Sequence, residues 1–101
     1  MHRNYEHHFE WDPLKARKNF RKHGITFERA ASVFMDPMAM SILDDRSSQK
    51  EDRWITMGMD RSGILLLVCH AHRQEHEDTS QIRIISARKA TKNEVRQYME
   101  P

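Results

Sequence analysis

Cysteine is almost missing from this chain: Cys69 stands alone among 101 residues. No disulfide can close within the chain, so the expected setting is the reducing cytoplasm, with Cys69 a small core hydrophobe. Long hydrophobic runs are missing too. The longest, Ile64 to Cys69, is far short of the roughly 20 apolar residues that a membrane helix needs, so no membrane partner is expected. The first residues, Met1 to His8, are polar and His-rich, unlike a signal peptide, and are expected to be flexible. There is no internal repeat, no low-complexity linker, no Gly-rich phosphate loop and no Ser nucleophile elbow. A large excess of one sign of charge is missing as well. A formal net charge of +2 with a pI of about 8.9 is too weak a bias to imply nucleic acid by itself.

What is present is periodic. The hydrophobic 38% and charged 32% of the chain fall into patterned runs, which argues for one folded domain. Phe9-Glu10-Trp11 reads as a short extended piece stopped by Asp12-Pro13, an N-cap and first-turn pair that starts a helix. That helix ends at Gly24, with Ala16, Asn19, Phe20 and His23 on its stripe and Lys15, Arg17, Lys18, Arg21 and Lys22 on its other faces. Thr26 caps a second helix with the stripe Phe27, Ala30, Ala31, Phe34, ended by Asp36-Pro37.

Strands follow. Met38 to Leu43 alternates, Asp44 to Asp52 reads as a polar loop, and Arg53 to Met59 forms the next strand. Asp60-Arg61-Ser62-Gly63 turns the chain into Ile64 to His70, which is apolar on both faces like a central strand. His72 to Gln81 reads as a long charged loop, and Ile82 to Ala90 as the last strand. Thr91-Lys92-Asn93-Glu94 is a capping box for a final helix bearing Val95, Tyr98 and Met99. The order β-α-α-β-β-β-β-α predicts an α+β fold. In it, a meander of about four antiparallel strands and a short N-terminal strand carry a helical hairpin and a short C-terminal helix.

Three ordered blocks carry a resemblance. Phe9-Glu10-Trp11-Asp12-Pro13 with Lys15 to Asn19 and Lys22 to Glu28 forms the first, and Glu51 to Gly58 the second. Ile82 to Thr91 with Glu94 and Tyr98 forms the third. From Phe9 to Tyr98 the chain resembles the BrnT family, ribonuclease toxins of type II toxin–antitoxin modules. That resemblance implies a RelE-like fold, a metal-independent endoribonuclease that inhibits translation, and no cofactor. It also implies a hetero-oligomer with a ribbon-helix-helix antitoxin resembling BrnA, operator DNA being reached only through the antitoxin. The alternative is a non-catalytic, antitoxin-binding co-repressor.

Cleavage of this kind removes a proton from the ribose 2′-hydroxyl, stabilises charge on the phosphorus and protonates the leaving 5′-oxygen. Under the resemblance, Arg53, Arg83, Arg88, His23 and Tyr98 are the expected catalytic residues, with Lys15, Lys22, Lys89 and His70 on RNA. Arg53 is in phase with Ile55, Met57 and Met59, and Arg83 with Ile85. Arginine on a strand can grip phosphate with two parallel bonds. It can equally pair with a carboxylate such as Glu51, Asp44 or Glu94. The spacing His70-x-His72-x₃-His76 lacks a Cys or a well-placed carboxylate to complete a metal site.

Overall fold

The computed structural model describes residues 6–44 and 52–100. Its elements run β1 (Glu6–Glu10), α1 (Pro13–His23), α2 (Phe27–Ser32), β2 (Met40–Leu43), β3 (Arg53–Met59), β4 (Leu65–His76), β5 (Thr79–Lys89) and α3 (Lys92–Met99), with a 3-10 turn at Val33–Met35 after α2. The fold is α+β. The loop expected over Asp44 to Asp52 lies, from position 45 to 51, outside the described residues, as do positions 1–5 of the N-terminal segment expected to be flexible; positions 6–8 of it belong to β1.

The helix boundaries follow from local chemistry. The Asp12 carboxylate accepts from the Leu14 amide at 2.9 Å, and Pro13 opens α1. Gly24 closes it in the left-handed region (φ 71°), where a side chain would be strained, and its amide donates to the Phe20 carbonyl. Thr26 caps α2, and the Thr91/Glu94 capping box starts α3.

The strands form one sheet in the order β1-β5-β4-β3-β2. The meander from β2 to β5 is antiparallel, but β1 lies parallel to β5, so the sheet is mixed. The long charged loop expected over His72 to Gln81 is instead a hairpin: β4 runs on to His76 and β5 begins at Thr79, with β1 seated against Thr79–Arg83. Backbone pairing on both sides of β5 holds this polar run extended, although its side chains carry no apolar signal.

One face of the sheet holds the core. Leu66, Val68, Ile82, Ile84 and Ala87 from the strands pack against Ile25, Phe27, Ala30 and Val33 from the helical layer. The largest fully buried side chain is Phe27. The opposite face is open: Ile55, Met57, Leu67 and Cys69 are only half-buried there, and Ile42 on the edge strand is 64% exposed.

Candidate active-site cleft

An irregularity in β5 decides which cations share the open face. Cys69 pairs with Ser86, but the next residue, His70, pairs with Ile84, so Ile85 is the extra residue of a β-bulge. Simple alternation would put Arg83 and Arg88, five residues apart, on opposite faces. The bulge resets the phase. Arg83 therefore lies opposite Ala71, which lies opposite Arg53, while Arg88 lies opposite Leu67 on the same face.

The free stretch of β5 beyond β1 is bordered by α1. Asn19 is 6% exposed, and its amide does the work of a missing strand. The Ala87 amide donates to its Oδ1 at 3.0 Å, and its Nδ2 donates to the Ala87 carbonyl at 2.9 Å and to the Ile25 carbonyl at 3.0 Å. Two buried backbone groups at a strand edge are satisfied in this way, along with one at the start of α2. The clasp brings the last residues of α1 to the sheet edge. Lys22 and His23 thereby line a cleft of about 360 Å³ together with Arg88, Ser86, Cys69, Leu67, Ile55 and Asp44.

Arg88 is held by α3. Its guanidinium donates to both Glu94 carboxylate oxygens, at 2.9 and 3.0 Å, and to the Lys89 carbonyl at 3.1 Å. The fork-to-fork bond with Arg88 is the main cause holding the Glu94 carboxyl at about 2, well below the usual range, with the Thr91 amide adding to it. Of the carboxylates expected to pair with an arginine, Glu94 is therefore the one that takes Arg88. Cys69 is not a core residue as expected but part of the cleft wall; burial raises its pKa, so it is held as a neutral thiol.

The other expected site residues are spread more widely. Arg53 sits one row along the sheet from Cys69 and exerts a favourable electrostatic pull on its thiolate form. Arg83 lines an adjoining cleft with Glu10, Ala71, Arg73 and Gln81. Lys15 is exposed on α1, two turns before Lys22. Lys89 is exposed and, being next to Arg88 in a strand, points to the other side of the sheet. The Tyr98 hydroxyl donates to Asp36 Oδ2 at 2.7 Å, which also accepts from the Met59 amide. Tyr98 is thus a strut between α3 and the 3-10 turn, not a member of the cleft.

His70 departs most from expectation. It is 4% exposed and faces the helical layer, edge-on to Phe34 at 4.8 Å, so it offers no surface to RNA. Its Nε2 is 2.7 Å from the Thr56 hydroxyl, which is 2.7 Å from that of Ser41, while the buried Nδ1 finds no partner among the described residues. Burial, helped by the nearby His72, pushes its pKa down to about 4. The neutral form is favoured by folding, so its contribution to stability is present above the unfolded value near 6.5 and is lost as pH falls toward 4. Lowering the pH from 7 to 5 should cost about 2 kcal/mol of unfolding free energy through this residue. Denaturant titrations of wild type and His70→Gln check it: the variant should lose most of that pH dependence, and an unchanged dependence would place its cause elsewhere.

Fold and cleft define a small α+β protein with its helical core on one side of a mixed sheet and a cation-lined cleft on the other. The profile of the family described as "Ribonuclease toxin, BrnT, of type II toxin-antitoxin system" matches residues 11–94, and the chain belongs to that family. Among solved structures it is similar to the 1.1 Å crystal structure of the Brucella abortus ribonuclease toxin BrnT, with a TM-score of 0.52 and 21% identity over 88% of this chain and 100% of that one. At that identity the likeness speaks for the fold. No curated protein matches the sequence. No described helix is long and apolar enough to cross a membrane.

Three residues of the cleft and its support carry little sequence signal. Asn19 is visible only as a polar residue beside Ala16 and Phe20 on the α1 stripe. Ser86 and Asp44 join the cleft through the register of β5 and the end of β2, for which single-sequence periodicity has no signature.

Proposed function

We propose that the protein is the endoribonuclease toxin of its module and that RNA is cleaved in the cleft between α1 and β5. The observation that supports this reading most is the convergence of Lys22, His23 and Arg88 on one concave site. In the proposed reaction the ribose 2′-oxygen attacks the adjacent phosphorus as its proton is taken up. The P–O5′ bond breaks and the 5′-oxygen is protonated, leaving a 2′,3′-cyclic phosphate and a 5′-hydroxyl. The ring nitrogens of His23 can accept and donate protons at the cleft, so His23 takes the proton steps. Arg88 and Lys22 stabilise the charge that grows on the non-bridging oxygens, without a metal ion. Glu94 does not touch the substrate; it fixes the plane of the Arg88 guanidinium.

The partner is a ribbon-helix-helix antitoxin resembling BrnA, through which operator DNA is reached. The apolar flank of the open face, with Met40 and Ile42 exposed on the β2 edge, is suited to be covered by it. In this reading the fold is RelE-like, and the toxin acts in the cytoplasm by depriving translation of intact RNA. Inducible expression with and without the adjacent antitoxin gene tests it. Growth should stop and new RNA ends should accumulate only when the toxin is expressed alone. Unimpaired growth, with an antitoxin that still needs this chain to grip its operator, would favour the non-catalytic co-repressor.

A further inference from the structure

The open face carries a second concave site, and the bulge at Ile85 aligns it with the first. A cleft of about 400 Å³ is lined by Arg73, Gln81, Arg83, Ala71 and Glu10. Arg73 and Gln81 are opposite one another across β4 and β5, with the guanidinium 3.4 Å from the amide oxygen. The next row holds Glu10, Arg83, Ala71 and Arg53, followed by Ser86 with Cys69 and then Arg88 with Leu67. Ala71 lies four positions along β4 from Leu67, so Arg83 and Arg88 stand about 13 Å apart along the sheet, and Arg73 lies about 7 Å beyond. Cations therefore recur along the β4–β5 direction rather than clustering at one point.

We propose that this second cleft is a subsite for a nucleotide flanking the scissile phosphate, so that single-stranded RNA lies along β4 and β5. Arg73 and Arg83 hold backbone phosphate, and the Gln81 amide, with both a donor and an acceptor, meets a base edge. Glu10 at the rim disfavours a phosphate on the β1 side and keeps the strand on the β4–β5 track. The subsite deepens the ribonuclease reading and rests on it for the identity of the polyanion.

The test uses fluorescent 2′-O-methyl RNA, which lacks the attacking hydroxyl and cannot be cleaved by the proposed route, titrated against the full chain freed of its antitoxin. A mixed-sequence hexanucleotide should bind Arg73→Ala/Gln81→Ala about tenfold more weakly than wild type. Its logarithmic salt dependence should fall by about 0.7, the loss of one phosphate contact on a single strand. A trinucleotide, too short to reach both clefts, should bind the two proteins within about twofold. The charge reversal Arg73→Glu, at an exposed position, guards against a folding artefact and should weaken the hexanucleotide further at an unchanged melting temperature. Equal binding of the hexanucleotide by wild type and variants, no binding by wild type, or an equal loss for both lengths would each overturn the subsite. Wild-type protein that binds the hexanucleotide in the predicted way but leaves ordinary RNA intact would refute the ribonuclease reading and leave the subsite standing.

Discussion

Replacing Arg88 with alanine is expected to lower RNA cleavage by about 10²–10³-fold, the usual loss when one preorganised donor to a developing oxyanion is removed. The size follows from where the guanidinium sits. It stands at the cleft with Lys22 and His23, and its orientation is fixed by two bonds to Glu94 before any substrate arrives. A preorganised charge stabilises a transition state without having to rearrange during the reaction. Alanine also releases Glu94, so two companion variants separate chemistry from support. Arg88→Lys keeps the charge and loses the planar fork, and should recover only a small part of the rate. Glu94→Gln keeps the capping box but replaces the charged fork with a weaker bond, and should reduce the rate by about tenfold while α3 stays helical. Single-turnover cleavage assays with circular dichroism distinguish these outcomes. Folded Arg88→Ala protein that cleaves at the wild-type rate would remove Arg88 from the chemistry.

Asn19→Leu should be the most damaging change outside the apolar core. The side chains are close in size, but leucine leaves the Ala87 amide, the Ala87 carbonyl and the Ile25 carbonyl without their partner. Unsatisfied buried backbone groups of this kind cost about 1–3 kcal/mol each, so an overall loss of about 3–5 kcal/mol is expected. Against a total of about 5–15 kcal/mol for a domain of this kind, that is a large fraction. Urea denaturation measures it directly. A loss below about 1 kcal/mol would mean that water or a backbone shift replaces the clasp. The same substitution frees the end of α1 from β5, so cleavage should fall even under conditions where the variant remains folded, because His23 and Lys22 lose their station beside Arg88.

How far these features were legible differs from one element to the next. Caps and turns are local, so Asp12-Pro13, Gly24, Thr26, the turn at Gly63 and the Thr91/Glu94 box were readable, and α1, α2, β4 and α3 start where those residues direct. The polar hairpin at His76–Thr79 was not, because its strands are stabilised by backbone pairing with each other and with β1, which periodicity does not register. The candidate site was legible as residue types but not as an arrangement. Arg83 and Ile85 look in phase by alternation, yet the bulge makes Ile85 the extra residue and turns Arg83 to the side of Ser86 and Arg88. His70 shows the opposite failure. It looked available at the end of a strand, but β4 continues past it and the helical layer covers it, because neighbouring pairs keep it on the face of Val68 and Leu66.

The measurement closest to the central claim is the chemistry of the RNA ends made by the purified, antitoxin-free protein in the presence of excess chelator. Cleavage at the α1–β5 cleft by attack of the ribose 2′-hydroxyl predicts a 2′,3′-cyclic phosphate upstream and a 5′-hydroxyl downstream, formed by wild type and lost in His23→Ala and Arg88→Ala. Ends carrying a 5′-phosphate, activity that disappears with the chelator, or RNA that stays intact would contradict it.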